Sequence, residues 1–273
     1  MASPASETLS PVLYLPHGGG PLPILGDKAH EKMVSFLKEI TSRLGTPSTI
    51  LVISAHWEEE IATITSGSHP GIISDYYGFP AEAYRIQYAA LGHPQLTKEA
   101  FELITASGIP ASLDEQRGFD DGLFVPLKLM YPEAQIPCLQ LYLLKNFDPR
   151  KHIALGKAIT PLRKKNILII SSGMSFHNLK VFFSREIDRS QENNEFNSWL
   201  IEACTSQALS PEKRKQQLIE WEKAPSARFC HPIEDHLVPL HVCYGVACAG
   251  TPIAEVVFNQ EIMGKRVTSS LWQ

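Results

Sequence analysis

Short, continuous apolar runs alternate with longer amphipathic segments along the chain. Five runs rich in Val, Ile and Leu lie at residues 11–16, 49–54, 136–143, 166–171 and 254–258. Continuous runs of this length favour strands that are covered on both faces. Between the runs, apolar residues recur at spacings of three and four, which is typical of helices with one buried face. The alternation predicts an α/β fold with a central, mostly parallel sheet covered by helices on both faces.

The length of the chain favours one large hydrophobic core. It has 273 residues, of which 44% are hydrophobic, and this is marginal for two independent cores. We therefore expect a single domain over residues 11–273, preceded by a flexible tail at residues 1–10. The charged stretch at residues 184–197 is weakly periodic, and it predicts a solvated connection, with a lid over a site as the alternative.

The charge and the cysteines restrict the partners and the location that we expect. The 25 Lys and Arg residues against 29 Asp and Glu residues give a net charge of −4, so no excess positive charge neutralises nucleic acid or an anionic membrane. The first ten residues contain no basic region followed by an apolar run, and no stretch approaches the roughly 18 apolar residues that span a bilayer. The five cysteines include no CxxC pair. We expect a cytoplasmic protein with reduced thiols and neither nucleic acid nor a membrane as partner.

Histidines follow three of the predicted strands. His17 follows the first apolar run and precedes three glycines, His56 follows the second, and His177 lies shortly after the fourth. Because the carboxyl ends of parallel strands share the edge at which ligands bind, we expect these side chains to converge. A fourth histidine, His236, precedes a helix-length apolar run, so its ring can enter the same crevice. Imidazole is the commonest ligand of divalent transition metals, and the pattern therefore predicts a metal centre.

The residues near His236 leave alternatives open. Glu234 lies two residues earlier, and two histidines with one carboxylate form the commoner ferrous site. The third metal ligand is therefore either His236 or Glu234. His231 lies five residues before His236 and is a candidate for substrate binding. The other histidines are interpreted as structural; they are His30, His69, His93, His152 and His241.

Two adjacent carboxylates, Asp120 and Asp121, precede an apolar stretch with helical spacing. An N-cap or an acid in the first turn of a helix explains one of them. The second carboxylate has no such explanation, and it is a further candidate for the site.

Six motifs of the chain together resemble one known family. In order along the sequence they are PHGGG at His17, ISAHW at His56, YGFP at residues 77–80, GFDDGLFVPLKLMYP at residues 118–132, SSGMSFHNL at His177 and HPIEDHLVPL at His236. They resemble the class III extradiol ring-cleavage dioxygenases of the LigB superfamily, of the DOPA dioxygenase type. The resemblance implies a non-haem divalent metal, usually Fe(II) and in some members zinc, bound by His17, His56 and His236.

The same resemblance implies a reaction and a role for a fourth histidine. Both atoms of O2 enter the ring of a catechol, which opens beside its two hydroxyls, and His177 matches the acid/base histidine of the family. The expected partners are thus a small aromatic diol and O2. The chain itself is expected to be a monomer or a homodimer.

One departure from the family concerns Asp121. Where the family usually has Phe-Asp-His-Gly, this chain has Phe-Asp-Asp-Gly at residues 119–122. Asp121 is therefore a candidate substrate contact in which a carboxylate replaces an imidazole. Because a carboxylate repels a catecholate, we hypothesise a preference for a cationic or amine-bearing catechol, or much reduced turnover.

Two other functions remain open from the sequence. The first is a zinc-dependent enzyme of the same fold that does not use oxygen. The second is a non-catalytic binding protein that kept the pocket, as in the related Memo proteins, and the departure at Asp121 supports this alternative.

Overall fold

Eight strands form one sheet in the computed structural model, which describes residues 9–182 and 190–273. The strands are β1 (Val12–Pro16), β2 (Thr49–Glu59), β3 (Ala62–Thr65), β4 (Ala111–Asp114), β5 (Cys138–Leu144), β6 (Ile167–Gly173), β7 (Glu255–Ile262) and β8 (Lys265–Trp272). Their spatial order is β4-β3-β5-β2-β6-β1-β8-β7. The central strands β5, β2, β6 and β1 are parallel, whereas β8 pairs antiparallel with both β1 and β7. The predicted α/β fold with a mostly parallel sheet is confirmed.

Nine α-helices connect and cover the strands within the described part of the chain. They are α1 (Glu31–Leu44), α2 (Pro94–Ala106), α3 (Asp121–Met130), α4 (Pro149–Ile159), α5 (Leu179–Phe182), α6 (Ser190–Thr205), α7 (Pro211–Ile219), α8 (Ala227–Cys230) and α9 (Val238–Ala247). Helices α1 and α3 pack together, with α3 against β2, while α9 packs on β1 and β6 beneath α4. Apolar spacing of three and four at residues 33–40, 96–104 and 155–162 predicts helices; the first two segments lie in α1 and α2, and the third begins in α4 and extends past its end.

Helix α9 is buried on all sides between the sheet and α4. Two glycines permit this close crossing: a Cβ at Gly156 of α4 would overlap the main chain of α9, and a Cβ at Gly245 of α9 would overlap the carbonyl oxygen of Ile153. Because His236 lies two residues before α9, the tight packing of this helix fixes the approach of that ring to the sheet.

Some elements differ from the expectations. The run at residues 254–258 was predicted to be covered on both faces, but β7 is an edge strand that pairs only with β8 among the described strands. Strands β3, β4 and β8 were not predicted, because two have only four residues and β8 carries several polar residues. Strands β4 and β7 lie at the two edges of the sheet, where one side of the backbone has no partner strand.

Parts of two predicted segments lie outside the described residues. Residues 1–8 of the expected tail are among them, whereas Ser10 exchanges hydrogen bonds with Arg163 through its main chain. Residues 184–189 of the predicted connection also lie outside, and residues 190–197 form the first turns of α6. Across the described ranges, we find no helix with the length and apolarity that a bilayer crossing requires.

Candidate active site

Three histidines from distant parts of the chain meet at the carboxyl edge of the parallel strands. His17 follows β1, His56 lies near the end of β2, and His236 precedes α9. One ring nitrogen of each lies within 4.8 Å of the others, and the Nε2 atoms of His17 and His56 are 3.1 Å apart. The predicted convergence of these side chains is therefore present in the structure.

A hydrogen bond to β6 orients the ring of His17. Its Nδ1 lies 2.9 Å from the hydroxyl of Ser172, and when Nδ1 donates this bond, Nε2 keeps its lone pair for a cation. Burial, followed by the nearby rings of His56 and His236, lowers the pKa of His17 well below its usual value. The ring is thus neutral at pH 7, as a metal ligand must be.

The glycine loop after His17 is held by a histidine that was interpreted as structural. His30 Nε2 accepts a hydrogen bond from the main-chain N–H of Gly19 at 3.0 Å, and its Nδ1 lies 2.7 Å from Asp27 Oδ1. A Cβ at Gly18, which has a φ of 84°, would overlap the rings of His30 and Pro23. The glycines therefore allow the loop to pack tightly beside the three converging rings.

Two carboxylates face the outer ring nitrogen of His56. Nδ1 of His56 lies 2.9 Å from Asp75 Oδ2 and 2.5 Å from Asp121 Oδ1. Burial lowers the pKa of His56, but the two carboxylates outweigh it and raise this pKa well above its usual value. Carboxylates on the outer nitrogen also make Nε2 a stronger ligand, an arrangement common around bound metals.

The two carboxylates themselves titrate differently. Burial raises the pKa of Asp121 to about 6. Burial also acts to raise the pKa of Asp75, but its hydrogen bond with His56 lowers it to about 2. Asp75 is therefore the ionised acceptor of the single Nδ1–H, and Asp121 is the buried second neighbour.

Asp121 begins α3 and lines the cavity, but its carboxylate is directed at His56. Its neighbour Asp120 occupies the N-cap position without a capping hydrogen bond from its side chain. Asp120 instead accepts hydrogen bonds from Ser54 Oγ and from Gln140. Both adjacent acids are thus engaged by side chains at the carboxyl edge of the sheet.

His177 stacks on His236. The two ring centroids are 3.4 Å apart with an interplanar angle of 19°, and Asp235 Oδ1 lies 3.5 Å from His177 Nδ1 and 3.1 Å from His236 Nδ1. The main-chain N–H of His177 donates to the carbonyl of Cys230. Burial, followed by the neighbouring His177, lowers the pKa of His236 to about 3.

The two remaining candidates lie elsewhere. His231 is fully buried with Nε2 3.0 Å from the carbonyl oxygen of Ser175, and it does not line the cavity. Glu234 accepts a hydrogen bond of 2.6 Å from Arg228. The structure thus brings His236, and not Glu234, to His17 and His56.

A cavity of about 820 Å³ opens over the histidines. Its aromatic wall is formed by Trp57, Tyr76, Tyr77, Phe79 and Phe182. Pockets of about 300–1,000 Å³ with apolar walls and a few polar groups are typical of small-molecule sites. The converging rings therefore lie where a substrate has room to approach them.

Three residues of this site were missed in the sequence. Asp75 stands two residues before the YGFP motif, Asp235 directly precedes His236, and Ser172 directly follows the apolar run at residues 166–171. The available indication was an acid just before the YGFP motif for Asp75 and an acid within the HPIEDHLVPL motif for Asp235. Nothing in the local sequence distinguishes Ser172 from any other strand serine.

Known proteins resemble this chain over most of its length. Residues 11–268 match the family described as the catalytic LigB subunit of aromatic ring-opening dioxygenase. The dioxygenase tasH of Hapsidospora irregularis is 36% identical over 261 residues, which are 88% of this chain and 78% of that protein. The 4,5-DOPA dioxygenase extradiol of Beta vulgaris is 33% identical over 257 residues, 93% of each chain.

A solved structure supports the fold independently. The crystal structure of an uncharacterised protein from Escherichia coli K12 superposes with a TM-score of 0.76 at 24% identity, covering 97% of this chain and 100% of that chain. The family match over residues 11–268 includes all six motifs. The chain belongs to the LigB family of aromatic ring-opening dioxygenases.

Proposed function

We propose that the protein is a non-haem, Fe(II)-dependent extradiol dioxygenase that cleaves the ring of a catechol with O2. The observation that carries this proposal is the meeting of ring nitrogens from His17, His56 and His236 within 4.8 Å, at the base of an aromatic cavity. Family membership supports an oxygenase, and the relatives named DOPA dioxygenase support a catechol as substrate.

The residues present fit a divalent transition metal. Burial is the main cause of the low pKa of His17 and of His236, so both rings offer lone pairs at neutral pH. His56 is backed by Asp75 and Asp121, which favour its binding to a cation. We infer that these three histidines hold the metal.

Fe(II), when bound, supplies the redox-active centre that a closed-shell catechol needs to react with triplet O2. Three imidazoles leave further coordination positions open for substrate. The aromatic side chains around the cavity bind the ring by apolar contact and exclude water from it. A dry, low-dielectric site strengthens the electrostatic interactions inside it.

His177 is proposed as the acid/base residue. It lines the cavity, and the contact of its Nδ1 with Asp235 at 3.5 Å orients the ring, so that Nε2 is the atom available to hold a proton. A catechol must lose a phenolic proton when it binds as catecholate, and ring opening returns one. A positioned imidazole suits both transfers at neutral pH.

A zinc-dependent enzyme that does not use oxygen is the second candidate, because three histidines are also the ligand set of some catalytic zinc sites. The decisive experiment loads the protein anaerobically with Fe(II) or with Zn(II) and then measures O2 uptake with a panel of small catechols. We expect uptake of one O2 per catechol with iron only, together with a yellow ring-opened product.

Two results would overturn the proposal. Iron-loaded protein that binds catechols but takes up no O2 would favour a non-catalytic, Memo-like binding protein. Turnover with zinc and without O2 would favour the second candidate. The cytoplasmic location, the monomeric or dimeric state and the absence of nucleic-acid or membrane partners stay predictions.

A further inference from the structure

We propose that the substrate is a neutral catechol with an extended apolar substituent, rather than a small amino-acid catechol. This proposal rests on the proposed ring-cleaving function, because it assumes that a catechol ring lies at the three histidines. The proposal concerns the substituent on the catechol ring, which is expected to be apolar and uncharged.

The size of the cavity is the first observation. A catechol ring with a short side chain occupies a small part of about 820 Å³, whereas pockets of this size enclose most of a drug-sized ligand. The walls beyond the histidines carry apolar side chains on several sides; they are Leu22, Trp57, Phe79, Leu179, Phe182 and Met263. An apolar substituent would bury this surface, and each buried methylene favours binding.

The mouth of the cavity is the second observation. Tyr77 and Leu179 both line the cavity, yet 91% and 54% of their surfaces are exposed. Both side chains are therefore exposed apolar surface at the cavity, and covering such surface favours binding of an apolar group. A substituent that reaches from the histidines to the mouth would cover both side chains.

The charges of the cavity are the third observation. Lys145 is the one Lys or Arg among the described residues that line it, and its Nζ lies 3.2 Å from Glu60 at the surface. The carboxylate of an amino-acid substrate would therefore compete with Glu60 for this partner. Such exposed ion pairs contribute little to binding.

The acids of the lining do not select an ammonium group either. Asp75 and Asp121 contact His56, and Asp235 contacts His177. The fourth acid, Glu58, is exposed to solvent. The hypothesis of a cationic catechol assumed a free carboxylate at Asp121, and the pairing of Asp121 with His56 removes that reason for it.

The test compares 4-methylcatechol, 4-butylcatechol, 4-hexylcatechol and DOPA. Their dissociation constants are measured by calorimetry on Zn(II)-loaded protein, and kcat/KM is measured on Fe(II)-loaded protein. We expect affinity and kcat/KM to rise about fourfold for each added methylene, and DOPA to bind more weakly than 4-butylcatechol.

Variants at the mouth give a second, structural readout. Tyr77→Ser and Leu179→Ser are each expected to lower the hexyl-to-methyl ratio of affinities at least threefold. Leu113→Ser is the matched control, because Leu113 is 42% exposed on β4 and does not line the cavity. An equal decrease in the control would contradict the proposal.

The outcomes separate this proposal from the proposed function. If affinity for the Zn(II)-loaded protein rises with the length of the alkyl substituent but the Fe(II)-loaded protein shows no turnover, the proposal of an apolar substrate site is retained and the proposed dioxygenase activity is rejected. If turnover does not depend on the length of the alkyl substituent, or if DOPA is the preferred substrate, the apolar substrate is rejected and the proposed dioxygenase activity is retained. No binding of any catechol would reject both.

Discussion

Asp121 Oδ1 lies 2.5 Å from Nδ1 of His56, on the side of the ring that faces away from His17. Asp75 Oδ2 approaches the same nitrogen to 2.9 Å. The chain therefore places two carboxylates behind one proposed metal ligand, at a position where the family that it resembles usually has a histidine in place of Asp121. We expect that replacement to change the affinity for the metal directly, and the binding of the catechol only as a consequence.

Loss of either carboxylate should weaken metal binding. Asp75→Asn and Asp121→Asn keep the size of each side chain but remove the charge that stabilises His56 as a ligand. Changes to such outer partners typically cost 10–100-fold in metal affinity, and we expect about tenfold or more for each variant. The measurement is competition for Zn(II) with a chelator of known affinity.

Glu133→Gln, an acid on the surface, is the control for the loss of one negative charge. Unchanged Zn(II) affinity in both aspartate variants would show that neither carboxylate supports His56. Asp121→His adds a comparison with the usual family residue, and recovered affinity in that variant would mean that an imidazole can replace the second carboxylate.

A glycine at the end of β6 should be needed for the position of His236. A Cβ at Gly173 would overlap the carbonyl oxygen of His236, which accepts hydrogen bonds from Tyr14 Oη at 2.9 Å and from the main chain of Met174 at 3.1 Å. Gly173→Ala must displace this segment. We expect the free energy of unfolding to fall by about 1–3 kcal/mol and Zn(II) affinity to fall with it.

Gly71→Ala is the matched control for this substitution, because no atom lies within 4 Å of a Cβ built at Gly71. Denaturant unfolding of the metal-free proteins and chelator competition measure the two effects separately. A Gly173→Ala protein with normal stability and normal metal affinity would contradict the close approach of β6 and His236.

The central sheet could be predicted because its sequence is simple. Strands that are buried on both faces need continuous apolar residues, and β1, β2, β5 and β6 have them. Strand β8 was missed because its pairing with β1 is set by the folded chain and not by its own polar sequence. The rule that ligands bind at the carboxyl edge then predicted the meeting of His17 and His56.

The contacts behind the proposed ligands could not be predicted in the same way. Asp75 reaches His56 across 19 positions of sequence, and Ser172 reaches His17 across 155. A short sequence pattern cannot predict such contacts, since they depend on the path of loops outside the strands. The same limit explains His231, whose closeness to His236 in sequence did not bring it to the cavity.

Acid should destabilise the protein partly through a histidine far from the cavity. His152 in α4 accepts a hydrogen bond from the main chain of Leu144 at 3.0 Å and bonds the carbonyl of Asp148 at 2.8 Å, and burial lowers its pKa to about 4. The unfolded chain takes up a proton near pH 6.5, but the folded chain does not. This contribution to stability is therefore complete above pH 6.5 and is lost as the pH falls towards 4.

Between pH 7.5 and pH 5.0 we expect His152 to account for about 2 kcal/mol of the decrease in the free energy of unfolding. The measurement compares urea unfolding of metal-free wild type and His152→Gln at both pH values. The decrease should be smaller in the variant, whereas His69→Gln, at an exposed position, should behave as the wild type. Equal decreases in all three proteins would contradict a neutral, buried His152.

Removal of His177 should lower turnover and leave metal binding intact. The ring stacks on His236 at 3.4 Å between centroids, so His177→Phe keeps an aromatic ring on the proposed ligand while it removes both ring nitrogens. Positioned acid/base groups contribute about 10²–10⁴-fold to rate, and we expect kcat of the iron-loaded protein to fall by at least 10²-fold with Zn(II) affinity unchanged.

The substitution Asp235→Asn provides the contrast. Because Asp235 contacts both His177 and His236, this substitution should lower kcat and Zn(II) affinity together. A His177→Phe protein that kept more than a tenth of the wild-type kcat would assign the proton transfers to another group.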